Sequence, residues 1–150
     1  LWDHGVGIQA NVSEIFLAKH DYVGEMPANG RSSRALGIAD VLGNYKNELQ
    51  TVNEPYGWKM NLEDAVSAKN RADMEQRMKS YAYILLATIG NLGYVEYEYS
   101  VENKQKNLTV TLEEATRFAG QDIKACGKTA AQLQALAEKA GLNEYLQKID

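Results

Sequence analysis

The sequence predicts an α+β fold of two layers, with helices packed on one face of an antiparallel sheet of about four strands. Apolar residues recur with the spacing of one helical face over residues 73–89. They alternate with polar residues over residues 94–101 and again over residues 108–112. Turn-forming residues separate neighbouring strands, which favours antiparallel pairing and a sheet with one buried face.

The composition is that of a folded globular protein. The apolar fraction of 45% and the charged fraction of 24% are close to the usual averages. The 20 acidic residues outnumber the 16 basic ones, and the basic residues form no run, which argues against nucleic acid as a partner. The richest apolar stretch, residues 81–89, is too short to span a membrane. The single cysteine excludes an internal disulfide.

The chain begins at Leu1 without an initiator methionine or an export signal, so we expect it to derive from a longer parent protein. We assign residues 1–20 to an N-terminal extension or linker, in which residues 12–18 have the pattern of a short helix. Residues 21–150 are predicted to form a single α+β domain.

The first part of that domain is predicted to be mostly helical. Tyr22–Val23 form at most a short edge strand, and Pro27–Gly30 form a loop. Ser32 or Ser33 then caps a helix that Gly43–Asn44 end. The apolar stripe of this helix contains Leu36, Ala39, Leu42 and, at its end, Tyr45.

A hairpin and a long helix follow. Pro55 and Gly57 favour a chain reversal between strands at residues 49–52 and 58–62. The helix over residues 73–89 is predicted to be the central element of the core, with Gly90–Asn91 as a left-handed stop. Its apolar face contains Met74, Met78, Tyr81, Ala82, Leu85, Leu86 and Ile89.

The C-terminal half begins with two strands that pair across the turn at residues 102–107. In the first strand, Val95, Tyr97, Tyr99 and Val101 share the buried face. Two short helices follow, each opened by a capping box and closed by a glycine. The boxes are Thr111 with Glu114 and Thr129 with Gln132, the glycines are Gly120 and Gly141, and residues 143–149 form a last turn.

Groups able to bind a metal through nitrogen or sulfur are scarce. Only His4, His20 and Cys126 qualify, and they do not have the spacing of a known metal motif, so no metal and no cofactor are expected. We interpret the histidines as solvated loop residues and Cys126 as a partly buried, unreactive thiol, because its only local cations are Lys124 and Lys128.

Two carboxylate pairs could in principle perform acid-base chemistry, but each has a structural explanation. Glu96 and Glu98 lie on one strand face and would keep the outside of the sheet hydrated. Glu113 and Glu114 lie in the first turn of a helix and complement its dipole. We therefore expect no catalytic residue in this chain.

The chain contains nine tyrosines against two phenylalanines and two tryptophans. Tyrosine offers a large amphipathic surface and is common where a protein binds a partner. Tyr22, Tyr56 and Trp58 lie in or next to loops, and we select them as candidate binding residues for a peptide, a sugar or a protein. The alternative is that they cover the open end of the sheet.

Three segments, in the expected order, resemble an uncharacterised bacterial domain family. They are residues 21–24 with DYVG, residues 48–57 with ELQT and EPYG, and residues 85–92 with LLATIGNL. The resemblance covers roughly residues 20–140. The family is a domain of unknown function that lies on the extracytoplasmic side of membrane proteins, including ones resembling β-lactam-sensor metallopeptidases and antirepressors, or follows a lipoprotein leader. It has no established catalytic residues.

The resemblance implies an extracytoplasmic domain anchored to the cell membrane through its parent chain, and any zinc peptidase activity would reside in a membrane segment outside this chain. We therefore expect a non-catalytic domain that binds a ligand or a partner protein in sensing or regulation. The membrane part of the same protein is one candidate partner. Two alternatives stay open, a cell-wall hydrolase that uses paired carboxylates and a structural dimerisation module.

Overall fold

The computed structural model describes residues 12–142 and confirms the α+β class. The strands are β1 (Tyr45–Gln50), β2 (Tyr56–Leu62), β3 (Leu92–Val101) and β4 (Lys104–Thr111). The helices are α1 (residues 12–17), α2 (Met26–Leu36), α3 (Ile38–Leu42), α4 (Arg71–Thr88), α5 (Leu112–Ala119) and α6 (Ala130–Lys139), with a 3₁₀-helix at Ile123–Gly127.

The sheet has the strand order β1-β2-β3-β4, and its pairing is mixed. The outer pairs, β1 with β2 and β3 with β4, are antiparallel hairpins as predicted. The central pair, β2 with β3, is parallel, which corrects the prediction of a wholly antiparallel sheet. The 18 residues of α4 lie between these strands, and a helix of that length spans about 27 Å, enough to return the chain to the end of the sheet where β2 begins.

The core lies between α4 and one face of the sheet. Residues 80–88 of α4 are all buried, because the sheet covers one side of the helix while α6 and the 3₁₀-helix cover others. The phenol of Tyr97 donates a hydrogen bond of 2.8 Å to the carbonyl of Met78 and joins β3 to α4. The fully buried sheet residues on this inner face are Trp58, Met60, Val95, Tyr97, Tyr99 and Val110.

The segment before β1 differs from the prediction. Pro27 lies in the first turn of α2 and begins the helix, because its ring fixes a helical φ and its missing N–H would be unpaired there. Ser32 and Ser33 are therefore buried inside α2 and cap nothing. The helical stretch breaks at the left-handed Gly37 and ends at Gly43, so that Tyr45 begins β1 instead of ending a helix.

The end of α4 also differs from the prediction. Ile89 is extended, and Gly90 is not left-handed. The reason is a tertiary contact: Ile89 forms a parallel bridge with His20, which replaces the expected left-handed stop. Tyr22–Val23 form no strand, and the carbonyl of Tyr22 instead accepts a turn bond of 3.2 Å from the amide of Glu25.

The C-terminal helices match the prediction. The hydroxyls of Thr111 and Thr129 accept bonds from the amides three residues on, at 3.2 and 3.1 Å. Gly120 and Gly141 have positive φ at the ends of α5 and α6. The predicted last turn at residues 143–149 lies outside the described residues.

Within the described residues, the folded domain begins before the predicted boundary at residue 20. Val12 and Ile15 of α1 are buried and belong to the same apolar core as α4. Residues 12–20 are therefore part of the folded domain. Residues 1–11, with His4, lie outside the described part of the chain.

Candidate functional site

Residues 89–91 join α4 to β3, and residues 89–94 contact one loop on each side. We call residues 89–94, which include the first residues of β3, the turn, and we call the turn together with the loops at residues 20–24 and 51–56 the α4–β3 corner. The loop at 20–24 follows α1, and the loop at 51–56 connects β1 to β2. The three segments that carry the family resemblance all contribute to this corner.

The loop at 20–24 is attached to the turn by backbone and side-chain bonds. The amides of Gly90 and Asn91 donate to the carbonyls of His20 and Asp21, both at 2.9 Å. The side-chain oxygen of Asn91 accepts a bond of 2.7 Å from the amide of Val23. Tyr22 lies between these anchored residues and is 61% exposed. Its side chain is thus presented on a loop whose backbone is held on both sides.

The loop at 51–56 is organised by the side chain of Gln50. Its oxygen accepts bonds from the amides of Val52 and Asn53 at 2.9 and 3.1 Å. Its nitrogen donates to the carbonyls of Asn53 and Pro55 at 2.8 and 3.1 Å. One amide group therefore makes four bonds across the loop, and Val52 at the tip is 84% exposed.

The second loop also packs on the turn. A Cβ added to Gly93 would lie 2.6 Å from the Cβ of Pro55, so only glycine permits this approach. Tyr56 pairs with Leu92, the residue after Asn91. The contacts of the two loops with the turn, at Gly90 and at Gly93, are therefore separated by about 10 Å of extended chain.

The structure separates the three predicted binding residues. Tyr22 and the half-buried Tyr56 belong to loops that meet at the α4–β3 corner. Trp58 is 1% exposed, and its indole N–H donates a bond of 2.7 Å to the side-chain oxygen of Asn47. Trp58 is a core residue with no side-chain surface for a ligand. Of the three, only Tyr22 and Tyr56 offer side-chain surface, and the binding prediction for them stays a prediction; Val52 is an exposed apolar residue that the sequence analysis did not select.

Lys124 closes the end of α4 beneath the corner. Its ammonium donates to the carbonyls of Leu86, Ile89 and Leu92, at 2.7, 2.7 and 2.9 Å. These carbonyls lie at and beyond the negative end of the helix dipole, where a cation is favourable. Burial nevertheless lowers the pKa of Lys124 to about 8. The sequence offered no sign of this role, because Lys124 lies far along the chain from α4.

A cavity of about 420 Å³ lies beside the corner, lined by Lys19, His20, Asp21, Ala87, Thr88, Gly90 and Lys124. Several of its polar groups already have structural partners. The His20 ring nitrogens contact the carbonyl of Ala18 at 3.0 Å and the side-chain oxygen of Asn29 at 2.8 Å. The ammonium of Lys19 donates to the carbonyl of Gly127. His20 is thus a half-buried bridging residue, which corrects its interpretation as a solvated loop residue.

Cys126 is 2% exposed in the 3₁₀-helix, and burial raises the pKa of its thiol. A raised pKa keeps the sulfur protonated and weakly nucleophilic. Cys126 is thus more fully buried than predicted, and its raised pKa agrees with the interpretation of an unreactive thiol, which stays a prediction.

Glu96 and Glu98 lie on the outer face of the sheet with Lys59 between them. The Lys59 ammonium is 2.9 Å from Glu98 and 3.9 Å from Glu96, and Asn107 donates a bond of 2.6 Å to Glu96. The hydrogen bond from Lys59 is the main cause that lowers the pKa of Glu98. A general acid needs a raised pKa, so this arrangement favours a hydrated, charge-paired surface over a catalytic pair.

The other chemical possibilities concern only residues 12–142. No group of three histidine, cysteine or acidic side chains in that range is placed to hold a metal ion. In the same range, no helix has both the length and the apolar character needed to cross a membrane.

A family model for a domain of unknown function, DUF4825, matches residues 15–113. This range covers most of the chain. The chain belongs to the DUF4825 family. No curated protein and no solved structure matches it significantly.

The DUF4825 match covers all three segments of the resemblance. In this structure, residues 21–24, 48–57 and 85–92 contribute to the α4–β3 corner or lead into it. Gln50, Pro55, Gly90 and Asn91 hold the backbone there through the bonds and close contacts described above. Lys124 lies outside the matched residues, and the C-terminal helices therefore complete the support of a corner that the DUF4825 region builds.

Proposed function

We propose that this DUF4825 domain is a non-catalytic binding domain on the extracytoplasmic side of a membrane-anchored parent protein, where it takes part in sensing or regulation. The binding surface is the α4–β3 corner. The proposal rests on one observation: Tyr22 and Val52 are exposed, and each lies on a loop whose backbone is held by side-chain hydrogen bonds. A surface ordered before binding loses less conformational entropy when a partner arrives.

The alternative of a cell-wall hydrolase is less well supported. Glu96 and Glu98 are held by Lys59 and Asn107 on the outer face of the sheet, and the pKa of Glu98 is lowered. With its pKa lowered, Glu98 would not serve as the proton donor that such a pair needs at neutral pH. A partner protein, including the membrane part of the same chain, or a soluble ligand fits the corner better. The acidic balance of the chain does not favour nucleic acid.

Binding can be tested by titrating ¹⁵N-labelled protein with soluble cell-wall muropeptides, and separately with the purified membrane part of the parent protein. We expect chemical-shift changes at residues 20–24, 51–56 and 89–94. The double variant Tyr22→Ser with Val52→Ser should weaken the response, whereas Arg117→Ser, at an exposed position on α5, should not. The proposed site is wrong if neither titrant shifts these resonances, or if both variants behave alike.

The location can be tested separately in cells that express the tagged full-length parent. Protease added to intact cells should degrade this domain while a cytoplasmic marker survives. If the domain is cleaved only after lysis, the extracytoplasmic assignment is wrong and the binding proposal has to be judged on the titration alone.

A further inference from the structure

A second concave surface lies between α1 and α2, on elements other than the α4–β3 corner loops. It has a volume of about 360 Å³ and is lined by Glu14, Leu17, Ala18, Arg31, Arg34 and Ala35. We call it the α1–α2 groove.

The groove contains two arginines without an acidic partner. Arg31 and Arg34 are one helical turn apart on α2, so their side chains emerge as neighbours. Both are exposed, and no ion pair among residues 12–142 includes either of them. A Cβ added to Gly30 would lie 3.2 Å from an Nη of Arg34, which shows that this guanidinium lies against the helix backbone over the glycine. Two positive charges one helical turn apart repel each other, and a bound anion would relieve this repulsion.

The groove also exposes an apolar side chain. Leu17 is 81% exposed. The small residues Ala18 and Ala35 also line the groove. Burying a leucine side chain is worth about 1.5–3 kcal/mol. A partner that covers Leu17 and carries a negative charge beside it would satisfy both features at once.

We infer that the α1–α2 groove binds an acidic peptide segment in which a carboxylate lies next to an apolar side chain. A carboxylate can accept two parallel bonds from a guanidinium, and the peptide's apolar side chain can cover Leu17. Two arginines less Glu14 give a lining charge of only +1. Polybasic sites for anionic lipid use about 4–8 basic residues.

The test uses a short fluorescein-labelled peptide of alternating aspartate and leucine, with its asparagine counterpart as the control. We expect saturable anisotropy with the acidic peptide only, weakened by added salt. Arg31→Gln with Arg34→Gln should raise the Kd at least about tenfold, because charge-assisted bonds are lost. Arg117→Gln, an exposed arginine on α5, should leave the Kd unchanged.

Further arms keep the proposal falsifiable. Leu17→Ser should raise the Kd about threefold or more, while Tyr22→Ser with Val52→Ser, which tests the corner, should have no effect. If the double variant does not fold, the single variant Arg31→Gln takes its place in the binding measurement. The proposal is overturned if the peptide does not bind, or if it binds the arginine variants as well as the wild type. It is also overturned if only phosphatidylglycerol vesicles bind, or if sedimentation shows a dimer that the arginine variants abolish.

Discussion

The aromatic ring of Tyr94 lies directly over the backbone of Gly57 on the neighbouring strand. The two residues are cross-strand partners on the outer face of the sheet, and a Cβ at position 57 would overlap the ring. Glycine normally weakens a strand, because it has no side chain to pack on the sheet surface and its backbone loses more conformational entropy on folding. The tyrosine ring covers that bare position, as aromatic residues do opposite other strand glycines.

This contact predicts that Gly57→Ala destabilises the protein. The ring must move, and we expect the free energy of unfolding to fall by about 1–3 kcal/mol, the usual cost of overpacking. Urea unfolding followed by far-UV circular dichroism measures the change. Gly24→Ala is the matched control, because nothing lies within 4 Å of an added Cβ there. Adding Tyr94→Ser to Gly57→Ala should recover part of the loss, and additivity of the two changes would contradict the contact.

The side chain of Gln50 predicts a second effect, on the loop at residues 51–56. Gln50→Glu keeps the acceptor for the amides of Val52 and Asn53 but loses both donated bonds, whereas Gln50→Ala loses all four. We expect amide exchange at residues 52 and 53 to accelerate strongly in the alanine variant and less in the glutamate variant. Gln105→Ala, at an exposed position on β4, is the control. Equal exchange in all three variants would show that Gln50 does not order the loop.

Among these single substitutions, we expect that of Lys124 to lower the free energy of unfolding most. Lys124→Met removes a donor from the carbonyls of Leu86, Ile89 and Leu92, of which Ile89 keeps a bond of 3.1 Å from the amide of Leu92. Each buried group left unsatisfied costs about 1–3 kcal/mol. Chemical unfolding at pH 7 should therefore show a loss of at least about 2 kcal/mol. The exposed Lys128→Met should show almost none. A similar small loss in both variants would contradict the role of Lys124 as a cap.

The pKa of Lys124 adds a pH dependence to this prediction. The folded-state pKa of about 8 lies below the reference value of 10.5, so the unfolded chain binds more protons between these pH values. Stability from this group therefore rises with pH from about 8 towards 10.5. The stability difference between wild type and Lys124→Met should grow between pH 7 and pH 9.5. Comparing the two proteins at each pH cancels the titration of the tyrosines.

Tyr99 and Glu75 predict a second pH dependence, which has the same sign but lies in the acid range. The phenol of Tyr99 donates to the Glu75 carboxylate, and Arg71 pairs with the same group at 3.0 Å. Burial alone would raise the pKa of Glu75, but these bonds outweigh it and the net pKa is lowered. The stabilisation is present at neutral pH and is lost as the pH falls below about 4.5.

Tyr99→Phe should therefore cost about 1 kcal/mol at pH 7 and less at pH 3, where Glu75 is protonated. Unfolding curves at the two pH values measure this difference. Tyr83→Phe is the control, because no hydrogen bond of its hydroxyl is found among the described residues and its ring stacks on Phe118 at 4.2 Å. A pH-independent loss in Tyr99→Phe would show that packing, and not the bond to Glu75, is responsible.

Local patterns were sufficient to predict most elements. The alternation in residues 94–101, the long apolar helix and the two capping boxes all specify structure through neighbours within a few positions, and each element forms where it was expected. The hairpin around Pro55 is also confirmed, although its first strand is Tyr45–Gln50 and not residues 49–52, and Gly57 lies inside β2. Local sequence also placed Tyr22 in a loop, where it is exposed, and selected Tyr56, which is half-buried at the start of β2.

The parallel direction of β2 and β3, the burial of Trp58 and the attachment of Lys124 to the end of α4 were decided only by the tertiary structure. Each depends on contacts between segments far apart in the chain, and hydrophobic periodicity contains no information about which distant surfaces meet. The sequence by itself determined where helices and strands form, because hydrogen bonding and side-chain burial within an element are local. Packing against α4 decided how they are arranged, since only the assembled core determines which faces lose contact with water.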